Sequence, residues 1–228
     1  MYELYIANKN YSSWSLRPWL LMVERGIAFH ERPVALRDGS SWEAFRRFSP
    51  SGKVPCLRDG DTVVWESLAI VEYLAERHPG VWPDEARARA WARCVAAEMH
   101  AGFTTLRSTC PMNCAVRVRL HGIDAPLRRD LDRLSELWNE GLACFGGPFL
   151  AGPAFGAVDA FFAPVAWRIH SYGLALDEAS LAYAQRLRGL PGMQRWYADA
   201  LTETARLADS EATARRVGTV LEDGRATA

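Results

Sequence analysis

The feature that most constrains this chain is a change of hydrophobic period near residue 80. Before His78, short alternating apolar runs interleave with helical spacing, whereas after Asp84 only the helical period is evident. Pro79, Gly80 and Pro83 punctuate the change. A chain of 228 residues has room for two units. The pattern predicts an α/β domain over residues 1–80 and an all-α domain over 84–209, with the boundary near Val81. Residues 210–228 are small, polar and charged, so a loosely ordered, flexible tail is expected.

Within the first unit, Tyr2 to Ala7 alternates and reads as a strand. Leu16, Trp19, Leu20 and Val23 mark a helix from Ser15 to Arg25, with Pro18 expected in its first turn and Gly26 at its end. Phe29 to Leu36 reads as a second strand, and this strand–helix–strand span is long enough for a parallel crossover. A short helical piece follows from Trp42 to Phe48. Lys53–Arg58 and Thr62–Trp65 then form a hairpin around Asp59-Gly60, and a helix runs from Glu66-Ser67 to about Arg77. The order is β-α-β-α-β-β-α. Later helices are predicted over Asp84–Ser108, Ala125–Phe145, Gly152–His170, Ser180–Arg188 and Met193–Leu207, and no strand is expected among them.

Composition narrows the function classes. The 27 basic and 27 acidic side chains balance, which argues against nucleic acid as a partner and gives no pull toward an anionic membrane. No apolar run approaches a membrane span, and the first residues lack the basic and apolar regions of a signal peptide, so a cytoplasmic location is expected. Five irregularly spaced cysteines read as reduced thiols. Cys110 and Cys114 are four apart, but His121 alone does not complete a zinc site, and no metal is expected.

Four segments in fixed order carry a further signal: Tyr11-Ser12-Ser13-Trp14-Ser15-Leu16-Arg17, Gly52-Lys53-Val54-Pro55-Cys56-Leu57, Glu66-Ser67-Leu68-Ala69-Ile70, and Gly156-Ala157-Val158-Asp159-Ala160-Phe161-Phe162. With the two-part organisation, they resemble the cytosolic glutathione S-transferase superfamily over nearly the whole chain. That resemblance implies a thioredoxin-like first domain and glutathione as co-substrate. It implies a cis Val54-Pro55 bond that turns the backbone N–H and C=O of Val54 toward the cysteine backbone of glutathione, as an added strand would. The start of the helix at Glu66-Ser67 offers unpaired N–H groups to the γ-glutamyl carboxylate, with Glu66 toward the ligand's ammonium. Lys53 is expected to reach the glycyl carboxylate. Trp42 either lines that end of the pocket or belongs to the core.

The reacting sulfur is expected over the start of the first helix. A free thiol titrates near pH 8.5, and a hydroxyl donor with a helix N-terminus lowers that value. Ser12, Ser13 and Ser15 are the candidates, and turn-forming or capping is the alternative use of each. The spacing is similar to the serine-type classes, zeta in particular, and on that mapping Ser12 matches the catalytic serine. Trp14 stands where zeta has cysteine, which argues against zeta-type isomerisation. Tyr11 adjoins the site.

Met99, Phe103, Thr104, Arg107, Trp167 and Tyr172 are candidates for a second-substrate pocket, and His100 and His170 for acid–base groups. Asp159 matches half of an N-capping box, with Gly156 at the hydroxyl position, and its expected role is in folding. The resemblance implies a homodimeric transferase acting on an electrophilic, largely apolar small molecule. Glutathione-dependent isomerisation or dehalogenation, and non-catalytic carriage of glutathione or another ligand, are the alternatives.

Overall fold

The computed structural model describes residues 1–36 and 38–225. Strands β1 (Tyr2–Ile6), β2 (Phe29–Pro33), β3 (Cys56–Asp59) and β4 (Thr62–Trp65) form one sheet in the order β2-β1-β3-β4. β1 pairs parallel to β2, with Tyr2 opposite Phe29, and antiparallel to β3, with Leu4 opposite Leu57. The parallel pair needs a crossover, which α1 (Ser13–Glu24) supplies. The β3–β4 hairpin turns at Gly60, whose φ of +58° suits the tight turn.

Alternation along the strands separates the two faces. Leu4, Ile6 and Leu57 point to the main core beneath α1 and α3 (Ser67–Ala75). Ala7 and Cys56 face Phe45 and Phe48, carried on and just after α2 (Trp42–Arg46). The β-α-β-α-β-β-α order is that read from the sequence. One detail differs: α1 starts at Ser13, so Pro18 lies in its second turn and deprives the Trp14 carbonyl of a helical donor.

The second domain comprises α4 (Ala86–Ala101), α5 (Thr104–Thr109), β5 (Val116–Leu120), α6 (Ala125–Phe145), α7 (Ala157–Tyr172), α8 (Glu178–Arg188), α9 (Pro191–Thr202), α10 (Ala208–Val217) and β6 (Gly218–Asp223). α7 is buried along almost its entire length and packs against α1, α4, α8 and β5. Trp19 of α1 meets Trp196 of α9 edge to face, so the apolar core runs unbroken through both domains. No described helix is long and apolar enough to cross a membrane.

Three expectations for this half are corrected. The helix read over Asp84–Ser108 breaks at Gly102-Phe103, where Phe103 adopts φ +54°; Arg107 donates to the carbonyls of His100 and Gly102 across the break (3.3 Å each). The domain is not purely helical, because Val116–Leu120 alternates and pairs antiparallel with Gly218–Asp223. The tail is not loose over its described part. Residues 208–217 are helical, and Arg225, buried, donates to Glu211 (2.7 Å), Asp223 (2.5 Å) and Tyr11 (2.6 Å). A polar segment reads as disordered when its partners are distant; here they lie about a hundred residues upstream in β5 and further still in Tyr11. Residues 226–228 of the expected tail lie outside the described residues.

Candidate functional site

The turn between β1 and α1 is held by the second domain. Glu203 accepts the backbone N–H groups of Lys9 (2.6 Å) and Asn10 (3.1 Å). The Lys9 ammonium lies between Glu31 (2.7 Å) and Asp199 (2.6 Å). Asn10 donates to Asn113 (2.8 Å) and accepts from Ala115 N–H (3.0 Å). The start of α1 is therefore fixed by residues more than a hundred positions away.

That start separates the three serines. Ser12 is the N-cap, and its hydroxyl donates to Ser15 Oγ (2.7 Å), which in turn accepts from Ala7 N–H (3.1 Å). Both side chains are buried, so the pair works as a clasp between strand and helix. Ser13 is half-buried, and its hydroxyl has no hydrogen bond among the described residues. It faces a cavity of about 420 Å³ with Trp14, Arg107, Pro111, Met112 and Arg168. Tyr11 rims the same cavity, but its hydroxyl donates to Glu211 (2.6 Å). Burial, then Glu211, pushes its pKa up to about 12.

Trp14 and Arg107 also line a second cavity, of about 570 Å³, shared with Lys53, Val54, Pro55, Trp65, Glu66 and His100. The Val54-Pro55 bond is cis, and neither polar backbone group of Val54 is hydrogen-bonded among the described residues. Glu66 has a φ of +82°, and its carboxylate folds over the start of α3. There it accepts from Ser67 N–H (2.7 Å), Leu68 N–H (3.0 Å) and Ser67 Oγ (3.1 Å). Ser67 is fully buried and meets the cavity only through this contact. The helix N-terminus is thus an anion site that Glu66 itself fills.

Trp42 is not brought to this cavity. It is 55% exposed and lines a separate groove with Ser40, Glu43 and Arg47. The five-residue α2 turns its ring across Gly52, where an added Cβ would come within 2.5 Å of Trp42 Cδ1.

Of the second-domain candidates, Thr104, Arg107 and His100 line a cavity, while Met99, Phe103, Trp167 and Tyr172 are buried in the core. His100 sets its ring edge-on to Trp14 (5.2 Å), with Nε2 3.5 Å from Glu66 Oε1. Burial pushes its pKa down, Glu66 opposes that shift, and Arg17 and Arg107 add to it. His170 lines neither cavity, and burial, aided by Arg117 and Arg188, lowers it to about 4.

Two arginines lacked a role in the sequence reading. Arg17 is buried in α1 with its guanidinium stacked on Trp14 (4.2 Å) and Phe161 (4.8 Å). Its Nε and Nη1 are buried without hydrogen-bond partners. Arg168 is buried in α7 and donates only to the carbonyls of Cys110 (2.8 Å) and Pro164 (3.3 Å) among the described residues. The available signal was a cation inside a mostly apolar helix, which is seldom buried unless it has work there.

Residues 11–77 match the family model for the glutathione S-transferase N-terminal domain, and residues 84–199 match that for the glutathione S-transferase C-terminal domain. The chain is 30% identical to glutathione S-transferase GstB of Escherichia coli over 199 residues, 82% of this chain and 88% of that protein. It is 36% identical to glutathione S-transferase F9 of Arabidopsis thaliana, but over 69 residues, 30% of this chain and only 32% of that relative's length. Among solved structures, a theta class glutathione S-transferase from Xanthomonas axonopodis pv. citri, with glutathione bound, is 27% identical with a TM-score of 0.63. That superposition covers 86% of this chain and 96% of that one.

Proposed function

Because the chain belongs to the glutathione S-transferase family, we propose that it binds glutathione between Lys53 and Ser67 and directs the thiolate at an electrophile in the adjoining cavity. The observation that carries this reading is that Lys53, Val54, Pro55 and Glu66 line one cavity beside Trp14 of α1, with the backbone N–H and C=O of Val54 unpaired among the described residues. Val54 N–H and C=O pair with the backbone of the ligand's cysteine, as an added strand does. The γ-glutamyl carboxylate takes over the Ser67 and Leu68 N–H groups that Glu66 now caps. Glu66, released, meets the ligand's ammonium. Lys53 meets the glycyl carboxylate.

At the sulfur, Ser13 is the donor best placed to hold a thiolate, since the Ser12 hydroxyl is engaged with Ser15. The helix N-terminus and the Arg17 cation favour the same charge. The thiol proton passes to solvent. The sulfur then forms a bond to carbon while the leaving group departs with its electron pair. The reading includes a homodimer, which sedimentation of the full chain tests, and a cytoplasmic location, which cell fractionation tests.

The deciding experiment is calorimetry with glutathione, followed by conjugation to 1-chloro-2,4-dinitrobenzene, in the parent and in Ser13→Ala, Ser12→Ala and Ser15→Ala. Ser13→Ala is expected to lower kcat/KM roughly 10²-fold with glutathione affinity near the parent's, the range for loss of one donor to a developing anion. Absence of glutathione binding refutes the reading. Binding without turnover over a panel of electrophiles makes the protein a carrier.

A further inference from the structure

Several arginines of this protein are neutralised by carboxylates. Arg93 pairs with Glu72 (3.0 Å), Arg133 with Glu98 (2.8 Å), and Arg225 with Glu211 (2.7 Å) and Asp223 (2.5 Å). The cavity beyond Trp14 gathers arginines that are not paired in this way. Arg107 and Arg168 line it, Arg17 lies behind Trp14, and no carboxylate pairs with any of the three among the described residues. Glu66 is near Arg17 but is spent on the start of α3. Glu211, on the other side, is held by Tyr11, Asn113 and Arg225.

The three cations are also desolvated. Burial pulls Arg17 down to about 9 and Arg168 to about 10, and it lowers Arg107 as well. A buried charge without a counter-ion is costly, and a ligand that brings the missing charge recovers that cost. Arg107 is the accessible member. Its Nη1 donates to two carbonyls, its guanidinium stacks on Trp14 (4.6 Å), and its other N–H groups have no partner among the described residues. Trp14, with Arg17 at 4.2 Å and Arg107 at 4.6 Å, offers a flat apolar wall next to that charge, and Pro111 and Met112 extend it.

We propose that this cavity takes a carboxylate-bearing electrophile with a flat apolar body, the carboxylate on Arg107 and Arg168 and the body along Trp14. This deepens the transferase reading and rests on it for turnover, though not for binding. It also narrows the expectation of a largely apolar electrophile to one that carries a carboxylate. A guanidinium suits a carboxylate because its planar fork donates two parallel hydrogen bonds. The hydroxyls of Ser13, Thr104 and Ser210 border the same cavity and add neutral donors.

The test compares 4-chloro-3-nitrobenzoate with its methyl ester, as ligands and as substrates. Calorimetry of the acid without glutathione is expected to give binding in the parent, at least tenfold weaker binding in Arg107→Gln, and recovery in Arg107→Lys, which keeps the charge. In turnover, the acid-to-ester ratio of kcat/KM is expected to fall at least tenfold in Arg107→Gln. Intrinsic reactivity of the two compounds cancels in that comparison. An unchanged ratio, or a parent that binds acid and ester equally, overturns the proposal. So does a loss of glutathione affinity in Arg107→Gln with the ratio intact, because the cation then serves glutathione. If the acid binds as expected but glutathione does not, the transferase reading falls and the carboxylate site stands.

Discussion

Asp159 is the buried carboxylate on which the second domain's packing turns, and its removal has a calculable effect. It is 1% exposed and accepts three hydrogen bonds, from Leu150 N–H (3.0 Å), Gly156 N–H (2.9 Å) and Tyr183 Oη (2.7 Å). Asp159→Ala leaves those donors unpaired, at a cost of about 1–2 kcal/mol each. It also relieves the protein of a desolvated charge. Burial outweighs the three donors and raises the carboxyl to about 6, against 3.8 ordinarily. That relief returns up to about 3 kcal/mol at pH 7 against about 3–6 kcal/mol for the three donors together, so the expected net loss there is about 1–2 kcal/mol. The sign with pH follows from the raised value. The native state takes up a proton near pH 6 that the unfolded chain takes up only near 4, so the parent gains stability from this group as pH falls between those values. The alanine variant does not, and its deficit grows by on the order of 1 kcal/mol between pH 7 and pH 5. Urea unfolding followed by tryptophan fluorescence at both pH values measures the difference, and kcat/KM at 25 °C checks the site. A deficit that stays constant or shrinks at pH 5 refutes the assignment of the proton to Asp159. A variant as stable as the parent with lost activity refutes a folding role altogether.

Two further outcomes follow from the same geometry. Gly52→Ala forces a Cβ to within 2.5 Å of Trp42 at a φ of +64°, so it is expected to cost about 1–3 kcal/mol, to displace the Trp42 ring and to weaken glutathione binding through the adjacent Lys53–Pro55 segment. An unchanged melting temperature and near-ultraviolet spectrum would count against that packing. Iodoacetamide at pH 7.5 is expected to label Cys94 and Cys144 only, because Cys56, Cys110 and Cys114 are buried and burial raises their thiols, the first two to about 11 and 12. Mass mapping of labelled peptides reads this directly, and fast labelling of Cys110 would mean that the wall behind Arg168 opens.

The segment proposed to hold glutathione was legible in the sequence because it is local. Lys53, Val54 and Pro55 are consecutive, and Glu66 follows one hairpin later, so a short stretch of backbone sets their spacing whatever the rest of the chain does. The order of elements up to Ala75 was legible for the same reason, with Gly26 and Gly60 marking turns that adopt positive φ. Trp42 failed as a pocket residue because its direction depends on how α2 lies over Gly52, a contact across ten residues that periodicity does not encode.

What the sequence alone determined is therefore the α/β-then-helical architecture and the local backbone of the segment proposed to hold glutathione. Tertiary structure alone decided how the hydroxyls and the cations around the start of α1 are engaged. Ser12, Ser13 and Ser15 are chemically the same, and only the bond from Ser12 to Ser15, with Ala7 behind it, distinguishes a clasp from a free donor. Arg17, Arg107 and Arg168 come from three helices and meet only when α1 and α7 pack together and the chain breaks after α4. The physical reason is range. Backbone geometry and turn chemistry act over a few residues, whereas charge and burial depend on whatever the fold brings within several ångströms.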